Sequence, residues 1–231
     1  MCGIIAAASN RNVGKLLVQG LHKMEYRGYD SAGIALHQSN QIAHLRTLGK
    51  VRLLEEKMIA EKPKSKLGIA HTRWATHGEP SEENAHPHMS NDRVYIVHNG
   101  IIENYLDLKE FLKKEGYSFS SETDSELIAH MLEYFLNKDN SMLDSMYLTK
   151  EKLEGAYAIA AIDRENEHNI TIARSKSPLL IGVGIDEFLA ASDPLAIGQL
   201  TNEFIFLEDG DVAEISSESY TIYDDSKKQV E

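Results

Sequence analysis

Short runs of apolar residues divide the N-terminal part of the chain into predicted strands. Several of these runs are too apolar to have a water-facing side, which is typical of strands buried on both sides. We therefore expect them to lie between covering layers. The runs are Cys2–Ala8, Ala32–His37, Ile42–Thr47, Leu67–Thr72 and Val94–His98.

Apolar residues spaced by three and four positions predict five helices. Gly28 stands where the first helix should stop, because glycine readily adopts the left-handed conformation that follows a helix. The fourth helix opens with Thr123-Asp124-Ser125-Glu126, which predicts a capping box. The predicted helices are Val13–Tyr26, Val51–Ala60, Tyr105–Glu115, Asp124–Leu136 and Met142–Leu153.

After Gly155 the pattern changes to closely spaced strands. The links between them are too short for parallel crossovers, and Asp209-Gly210 predicts a hairpin. The pattern therefore indicates an α+β layered domain with largely antiparallel sheets and no Rossmann repeat. The strands are Ala156–Asp163, Asn169–Arg174, Leu179–Val183, Glu187–Ala191, Glu203–Leu207, Asp211–Ile215 and Tyr220–Tyr223.

Composition narrows the classes of partner. The chain has 231 residues, 42% of them hydrophobic, and its 24 Lys+Arg against 36 Asp+Glu give a net charge of −12. Such a charge repels nucleic acid and anionic membranes. The longest apolar runs fall far short of the roughly 20 residues that a membrane span needs, and the chain has no basic signal-peptide start. We therefore expect a cytoplasmic protein.

The single cysteine, Cys2, excludes an internal disulfide framework, and a free thiol persists most easily in a reducing compartment. Two polar segments carry more chemistry than a connecting loop requires: "AHTRWATHGEPSEENAHPH" over 70–88 and "VHNGIIENY" over 97–105. From residue types alone, solvated loops and a functional site explain them equally well.

Further motifs in the chain make a functional site the better explanation of these segments. They are Cys2-Gly3-Ile4, "EYRGYDSAG", "NAHPH" and "SETDSE". Together the motifs resemble the glutaminase (glutamine amidotransferase) domain of the glucosamine-6-phosphate synthase family, in the N-terminal nucleophile hydrolase superfamily. The match runs over essentially the whole chain, to "ASDPLA" and "EFIFLEDGD". The resemblance implies a four-layer αββα sandwich of two antiparallel sheets and hydrolysis of L-glutamine. Related phosphoribosylpyrophosphate amidotransferases would more usually show "RGQDSAG", and asparagine synthetases "HRGPD".

The resemblance also assigns catalytic roles. Cys2 is expected to be the thiol nucleophile, and its α-amine the base, once Met1 is removed. An amine with a pKa of roughly 7.7–8.0 can accept the proton of a thiol with a pKa of about 8.5. Asn99 and Gly100 are expected to form the oxyanion hole, through a side-chain amide and a backbone N–H.

Substrate recognition is assigned in the same way. Arg73 is expected to bind the α-carboxylate of glutamine, helped by Thr76 and His77, and Asp124 to bind the α-ammonium group. Asp124 could instead be a first-turn residue that only interacts favourably with the helix dipole. Trp74, the only tryptophan, is expected to gate the passage of ammonia, although it could also be a core aromatic residue. Gly28 and Asp30 are interpreted as turn residues, and Arg27 ranks below Arg73 as a site residue.

Two other functional classes stay open at this point. A metal-dependent hydrolase could use the histidines, although they form no His-Glu-x-x-His helix. A catalytically silent interaction module could have kept the fold. We expect neither metal nor cofactor. The histidines in question are His71, His77, His86, His88 and His98.

The domain organisation follows from the resemblance. We expect residues 1–231 to form one glutaminase domain of a longer enzyme. Its two sugar-isomerase domains, absent from this sequence, would receive the ammonia and use it to make glucosamine 6-phosphate from fructose 6-phosphate. A homodimer would form through the parent enzyme. Alone, the domain should make glutamate and ammonia.

Overall fold

Within residues 2–75 and 77–230, which the computed structural model describes, two seven-stranded sheets pack face to face. The strands are β1 Gly3–Ser9, β2 Ser31–Gln38, β3 Gln41–Leu48, β4 Leu67–Arg73, β5 His88–Ser90, β6 Val94–Ile102, β7 Gly155–Asp163, β8 Ile170–Ser175, β9 Leu180–Val183, β10 Glu187–Ala191, β11 Phe204–Phe206, β12 Val212–Ile215, β13 Tyr220–Tyr223 and β14 Gln229–Val230. The helices are α1 Gly14–Met24, α2 Val51–Glu61, α3 Tyr105–Lys114, α4 Glu126–Leu136 and α5 Met142–Lys150.

The first sheet has the strand order β11-β9-β10-β1-β4-β2-β3, and the second has β14-β13-β12-β8-β7-β6-β5. Neighbouring strands in both sheets are antiparallel. The expectation of largely antiparallel sheets is confirmed.

Alternating side chains of each central strand face two different cores. Ile4, Ala6 and Ile69 of the first sheet meet Tyr95 and Val97 of the second sheet in the core between the sheets. The intervening residues of these strands face the helices. Because both faces are covered, the central strands have no need of a polar face, which explains their unbroken apolar runs.

A helical layer covers the outer face of each sheet. Ile5 and Leu36 of the first sheet pack with Leu17 of α1 and Leu54 of α2. On the other side, α4 and α5 cover the second sheet, and α3 packs against α4. The result is the expected α+β sandwich of four layers, αββα.

The predicted capping box at the fourth helix is wrong. Helix α4 begins at Glu126, after Ser125, and the Thr123 hydroxyl lies 3.0 Å from Nε2 of His88. Glu126 reaches back to the backbone N–H groups of Ser120 and Ser121 instead of to Thr123. The segment before the helix is held by tertiary contacts, which override the local signal.

The predicted hairpin at Asp209-Gly210 is also wrong. The residues connect β11 of the first sheet to β12 of the second sheet, so the chain crosses between layers at this point. Gly210 has a φ of +95°, as the turn signal suggests, but a local signal does not determine which sheet the next strand joins. Among the described residues, no helix is long and apolar enough to cross a membrane.

Candidate active site

The predicted site residues that the structure describes lie at one end of the sandwich. Strand β1 begins there, while β4 and β6 end there. Side chains alternate along a strand, so Arg73 shares the inner face of the first sheet with Ile69, and Asn99 shares that of the second sheet with Val97. Cys2, just before β1, is two residues from the inward-facing Ile4, so its side chain lies on the same face. These three side chains therefore converge at the gap between the sheets.

The thiol of Cys2 is held by the backbone that follows β4. Its Sγ accepts a hydrogen bond from the backbone N–H of Trp74 at 3.3 Å and lies 3.5 Å from the Trp74 carbonyl oxygen, to which it can donate. Burial raises the pKa of the Cys2 thiol. The thiol is therefore protonated at neutral pH, and a base must accept its proton when sulfur attacks.

Asn99 approaches Cys2 from the opposite sheet. Its Nδ2 donates to the Cys2 carbonyl oxygen at 3.4 Å, and its Oδ1 lies 2.9 Å from Nε2 of His71. The next residue, Gly100, has a φ of +135°, and a Cβ at this position would lie 1.9 Å from the Ala156 carbonyl oxygen. A side chain at position 100 would therefore push β6 away from its neighbour β7.

Arg73 is a buried cation at the end of β4, with a side chain that is 4% exposed. Its guanidinium donates to the backbone carbonyl oxygens of His77, Gly78 and Glu79. The carboxylate of Asp30 lies 3.9 Å away. The contacts with the three carbonyl oxygens hold the loop after β4 against Arg73, and Asp30 makes a long ion pair with the guanidinium. The cation keeps the capacity to attract an anionic ligand.

Asp124 lies buried before α4 and contacts the strand that carries Asn99 and Gly100. Its Oδ2 accepts a hydrogen bond from the backbone N–H of Ile102 at 2.8 Å. The neighbouring Ser125 hydroxyl lies 2.8 Å from Nδ1 of His98. The two residues thus hold β6 on both sides of the Asn99-Gly100 pair.

Trp74 is 52% exposed, so the alternative of a core aromatic residue is wrong. Its ring lies over Gly28, where a Cβ would be 2.7 Å from the indole, and Gly28 has a φ of +74°. Asp30 accepts a hydrogen bond from the backbone N–H of Ala75 and donates its own N–H to the Arg73 carbonyl at 2.8 Å. The interpretation of Gly28 and Asp30 as turn residues is confirmed, and the turn supports the Trp74 loop.

Arg27 ends a short 3-10 helix, Glu25–Arg27, just before this turn, and its guanidinium lies 3.5 Å from the carboxylate of Asp193. The side chain of His77 packs edge-on against Tyr105, with ring centroids 5.7 Å apart, while its backbone carbonyl meets Arg73. The predicted binding residue Thr76 and the predicted removable residue Met1 lie outside the described residues.

His71, which the sequence suggested only as a possible metal ligand, also lies in this site. It is fully buried, and burial lowers its pKa to about 3, so the ring is neutral. Its position two residues before Arg73 in a strand was a usable signal, because alternation places both side chains on one face. The ring of His86 lies between those of His71 and His88: it is tilted against His71, with centroids 4.1 Å apart, and meets His88 edge-on, with centroids 4.5 Å apart. Over residues 2–75 and 77–230, no group of three potential ligands has a geometry that could hold a metal ion.

Proteins with similar sequences are found among the glutamine amidotransferases. A sequence profile of the glutamine amidotransferase domain matches residues 71–199. The glutamine–fructose-6-phosphate aminotransferase (isomerizing) of Vibrio parahaemolyticus is 50% identical over 232 residues, which is 100% of this chain and 38% of that protein. Its counterpart in Haemophilus influenzae is 50% identical over 226 residues, or 97% and 37% of the two chains. The chain thus spans less than two fifths of these curated relatives.

Solved structures share the fold. Glutamine phosphoribosylpyrophosphate amidotransferase from B. subtilis, complexed with ADP and GMP, superposes with a TM-score of 0.84 at 24% identity. The match covers 99% of this chain and 50% of that one. A glutamine aminotransferase class-II domain protein from Silicibacter pomeroyi superposes with a TM-score of 0.66 at 14% identity and covers 96% and 99% of the two chains.

Proposed function

This chain belongs to the glutamine amidotransferase family, and from that premise we propose that it hydrolyses L-glutamine to L-glutamate and ammonia through a thioester on Cys2. The observation that carries the proposal is the approach of the Asn99 amide to Cys2 across the gap between the sheets, at 3.4 Å. A thiol, an amide donor and a buried cation converge there, as hydrolysis of an amino-acid amide requires.

The first step is attack by Cys2 sulfur on the side-chain carbonyl of glutamine. The thiol proton passes to the α-amine of Cys2, which is a base only in a chain that begins at this residue. When the tetrahedral intermediate collapses, the C–N bond breaks and the amine returns the proton to the leaving ammonia. Water then attacks the thioester, releases glutamate and restores the thiol.

The oxyanion of the intermediate requires donors fixed before the reaction. We assign this role to the Asn99 side-chain amide and the Gly100 backbone N–H. One such donor is typically worth about a hundredfold to a thousandfold in turnover. The hydrogen bond between Asp124 and Ile102 supports this assignment, because it limits movement of the segment that carries both donors.

Recognition of the amino-acid end of glutamine needs charges of both signs. We assign binding of the α-carboxylate to Arg73, helped by Thr76 and His77, and binding of the α-ammonium group to Asp124. The burial of both charged side chains supports these roles, because a buried charge gains most from an ionic ligand. Trp74, exposed above Gly28, is assigned to the passage of ammonia.

The activity of the full-length enzyme is a further part of the proposal. By similarity to the aminotransferases that the chain matches, the ammonia would serve the synthesis of glucosamine 6-phosphate from fructose 6-phosphate, in the hexosamine pathway. The partners would be the sugar-isomerase domains of the same enzyme, in a cytoplasmic homodimer.

The test is the release of ammonia and glutamate from glutamine by this chain and its Asn99→Ala variant. The proposal predicts equal amounts of the two products from the parent chain. It also predicts a kcat lower by about a hundredfold in Asn99→Ala, with a KM within about threefold. A parent chain that intact-mass analysis shows to begin at Cys2, and that is folded by circular dichroism yet releases no ammonia, would contradict the proposed function.

A further inference from the structure

The hydrogen bond between His71 and Asn99 joins the two sheets at the candidate active site. His71 lies on β4 of the first sheet, where its backbone neighbours are Ile4 of β1 and Gly33 of β2. Asn99 lies on β6 of the second sheet. Their side chains meet between the layers, with Nε2 and Oδ1 2.9 Å apart. A contact of this kind fixes a side chain relative to the sheet that it does not belong to.

The direction of this hydrogen bond follows from the atoms involved. The carbonyl oxygen of an amide carries no proton, so Nε2 of His71 must be the donor. The reverse orientation of the amide would place Oδ1 against the Cys2 carbonyl oxygen, and two acceptors would face each other. The neutral ring therefore carries its proton on Nε2, and the Asn99 NH₂ group faces Cys2.

The surroundings of His71 hold its ring in place and keep it neutral. Its side chain is fully buried and stacks on the buried ring of His86 at 4.1 Å. It stays neutral over the working pH range, because burial lowers its pKa to about 3. A neutral donor orients the amide without placing a positive charge beside the thiol.

We propose that His71 is a positioning residue that holds the Asn99 amide with its NH₂ group toward Cys2, so that the oxyanion donor is aligned before glutamine binds. The proposal rests on the proposed function, in which Asn99 stabilises the oxyanion. His71 touches neither glutamine nor the reacting atoms in this scheme. Its effect on the reaction passes entirely through Asn99.

Three variants separate this role from a general structural one. His71→Leu removes the donor and fills most of the space, and we expect kcat to fall by about ten- to hundredfold while KM changes by less than about threefold. His71→Gln places an amide donor near the former Nε2 position and should recover most of the loss. His37→Leu is the matched control, since His37 is also buried and bonds across the sheets, to the Arg164 carbonyl at 2.8 Å, at the far end of the sandwich. This control should lose stability and keep its kcat.

A double-mutant cycle supplies the decisive comparison. In an Asn99→Ala background, His71→Leu should lower kcat by less than about twofold further, because the group it positions is gone. An equal loss in both backgrounds, or a kcat within twofold of the parent in His71→Leu, would overturn the proposal. Thermal unfolding of each variant verifies that the folded state is measured.

A spectroscopic readout tests the same idea independently of activity. Nitrogen-15 shifts of the His71 ring should show the neutral tautomer with its proton on Nε2 in the free protein. The opposite tautomer would overturn the positioning role even if the chain hydrolyses glutamine. Absence of glutaminase activity together with the Nε2 tautomer would instead refute the proposed function, and with it a role for His71 in that reaction.

Discussion

The carboxylate of Asp124 accepts a hydrogen bond from the backbone N–H of Ile102, two residues beyond Gly100. The residue proposed to bind the ammonium group of glutamine is therefore also attached to the strand that bears the proposed oxyanion donors. Binding and catalysis share one buried carboxylate in this arrangement.

Two substitutions of Asp124 should separate its two roles. Asp124→Asn keeps an oxygen for the Ile102 N–H and loses the charge, so KM should rise by about tenfold or more with kcat nearly unchanged. Asp124→Ala loses both, and kcat should also fall by about tenfold as β6 loosens. Steady-state kinetics with glutamine measure both parameters. Identical kinetics in the two variants would show that the bond to Ile102 has no bearing on turnover.

Trp74→Ala should leave glutamine hydrolysis by this chain within about threefold of the parent value. The contact with the Cys2 sulfur comes from the backbone N–H of Trp74, which alanine retains, and the exposed indole packs on Gly28. An ammonia-release assay checks this. A loss of a hundredfold would instead assign the indole to the glutamine pocket.

Acid should destabilise the protein steeply between about pH 6.5 and pH 4. Burial lowers the pKa of five histidines: to about 3 for His71 and His88, to about 4 for His44 and His98, and well below the usual value for His86. In this range the unfolded chain binds protons that the folded chain does not, so the free energy of unfolding falls as pH falls. Each ring contributes up to about 1.4 kcal/mol per pH unit.

Urea unfolding at a series of pH values measures this dependence. The variant His44→Gln should show a shallower slope than the parent. The exposed residue His168 supplies the control, because His168→Gln should leave the slope unchanged. Equal stability at pH 7 and pH 5 would contradict the prediction.

The sequence indicated Cys2, Arg73 and Asn99 as candidate site residues, because motifs mark individual positions. Strand alternation explains why the structure brings these three side chains together. The partner of Asn99 was not identified. The contact between His71 and Asn99 depends on how two sheets stack, and neither strand pattern carries that information.

The two wrong predictions of local structure, the helix cap and the hairpin, have the same origin. The Thr123 signal indicated a helix cap, yet the Thr123 hydroxyl is engaged by His88, which lies far away in the sequence. Asp209-Gly210 indicated a turn, and the turn exists, but its strands belong to different sheets. Local chemistry predicts local geometry, whereas the choice of partner is decided by the packing of the whole sandwich.

Removal of Met1 should be required for activity. In a chain that keeps Met1, the nitrogen of Cys2 is an amide without a basic lone pair, so the thiol proton has no acceptor beside it. Intact-mass analysis of separated fractions, paired with an ammonia assay, should find activity only in the fraction that begins at Cys2. Full activity in a fraction that keeps Met1 would refute the amine as base.

The proposed function depends most on the covalent step at Cys2, and acid quenching during turnover tests this step directly. Peptide mass analysis of protein quenched with saturating glutamine should find a γ-glutamyl thioester on the peptide that contains Cys2. The adduct should be absent from Cys2→Ser, whose ammonia release should fall by at least about a hundredfold, because a hydroxyl ionises far less readily than a thiol. An adduct on another residue, or near-normal ammonia release by Cys2→Ser, would contradict the mechanism.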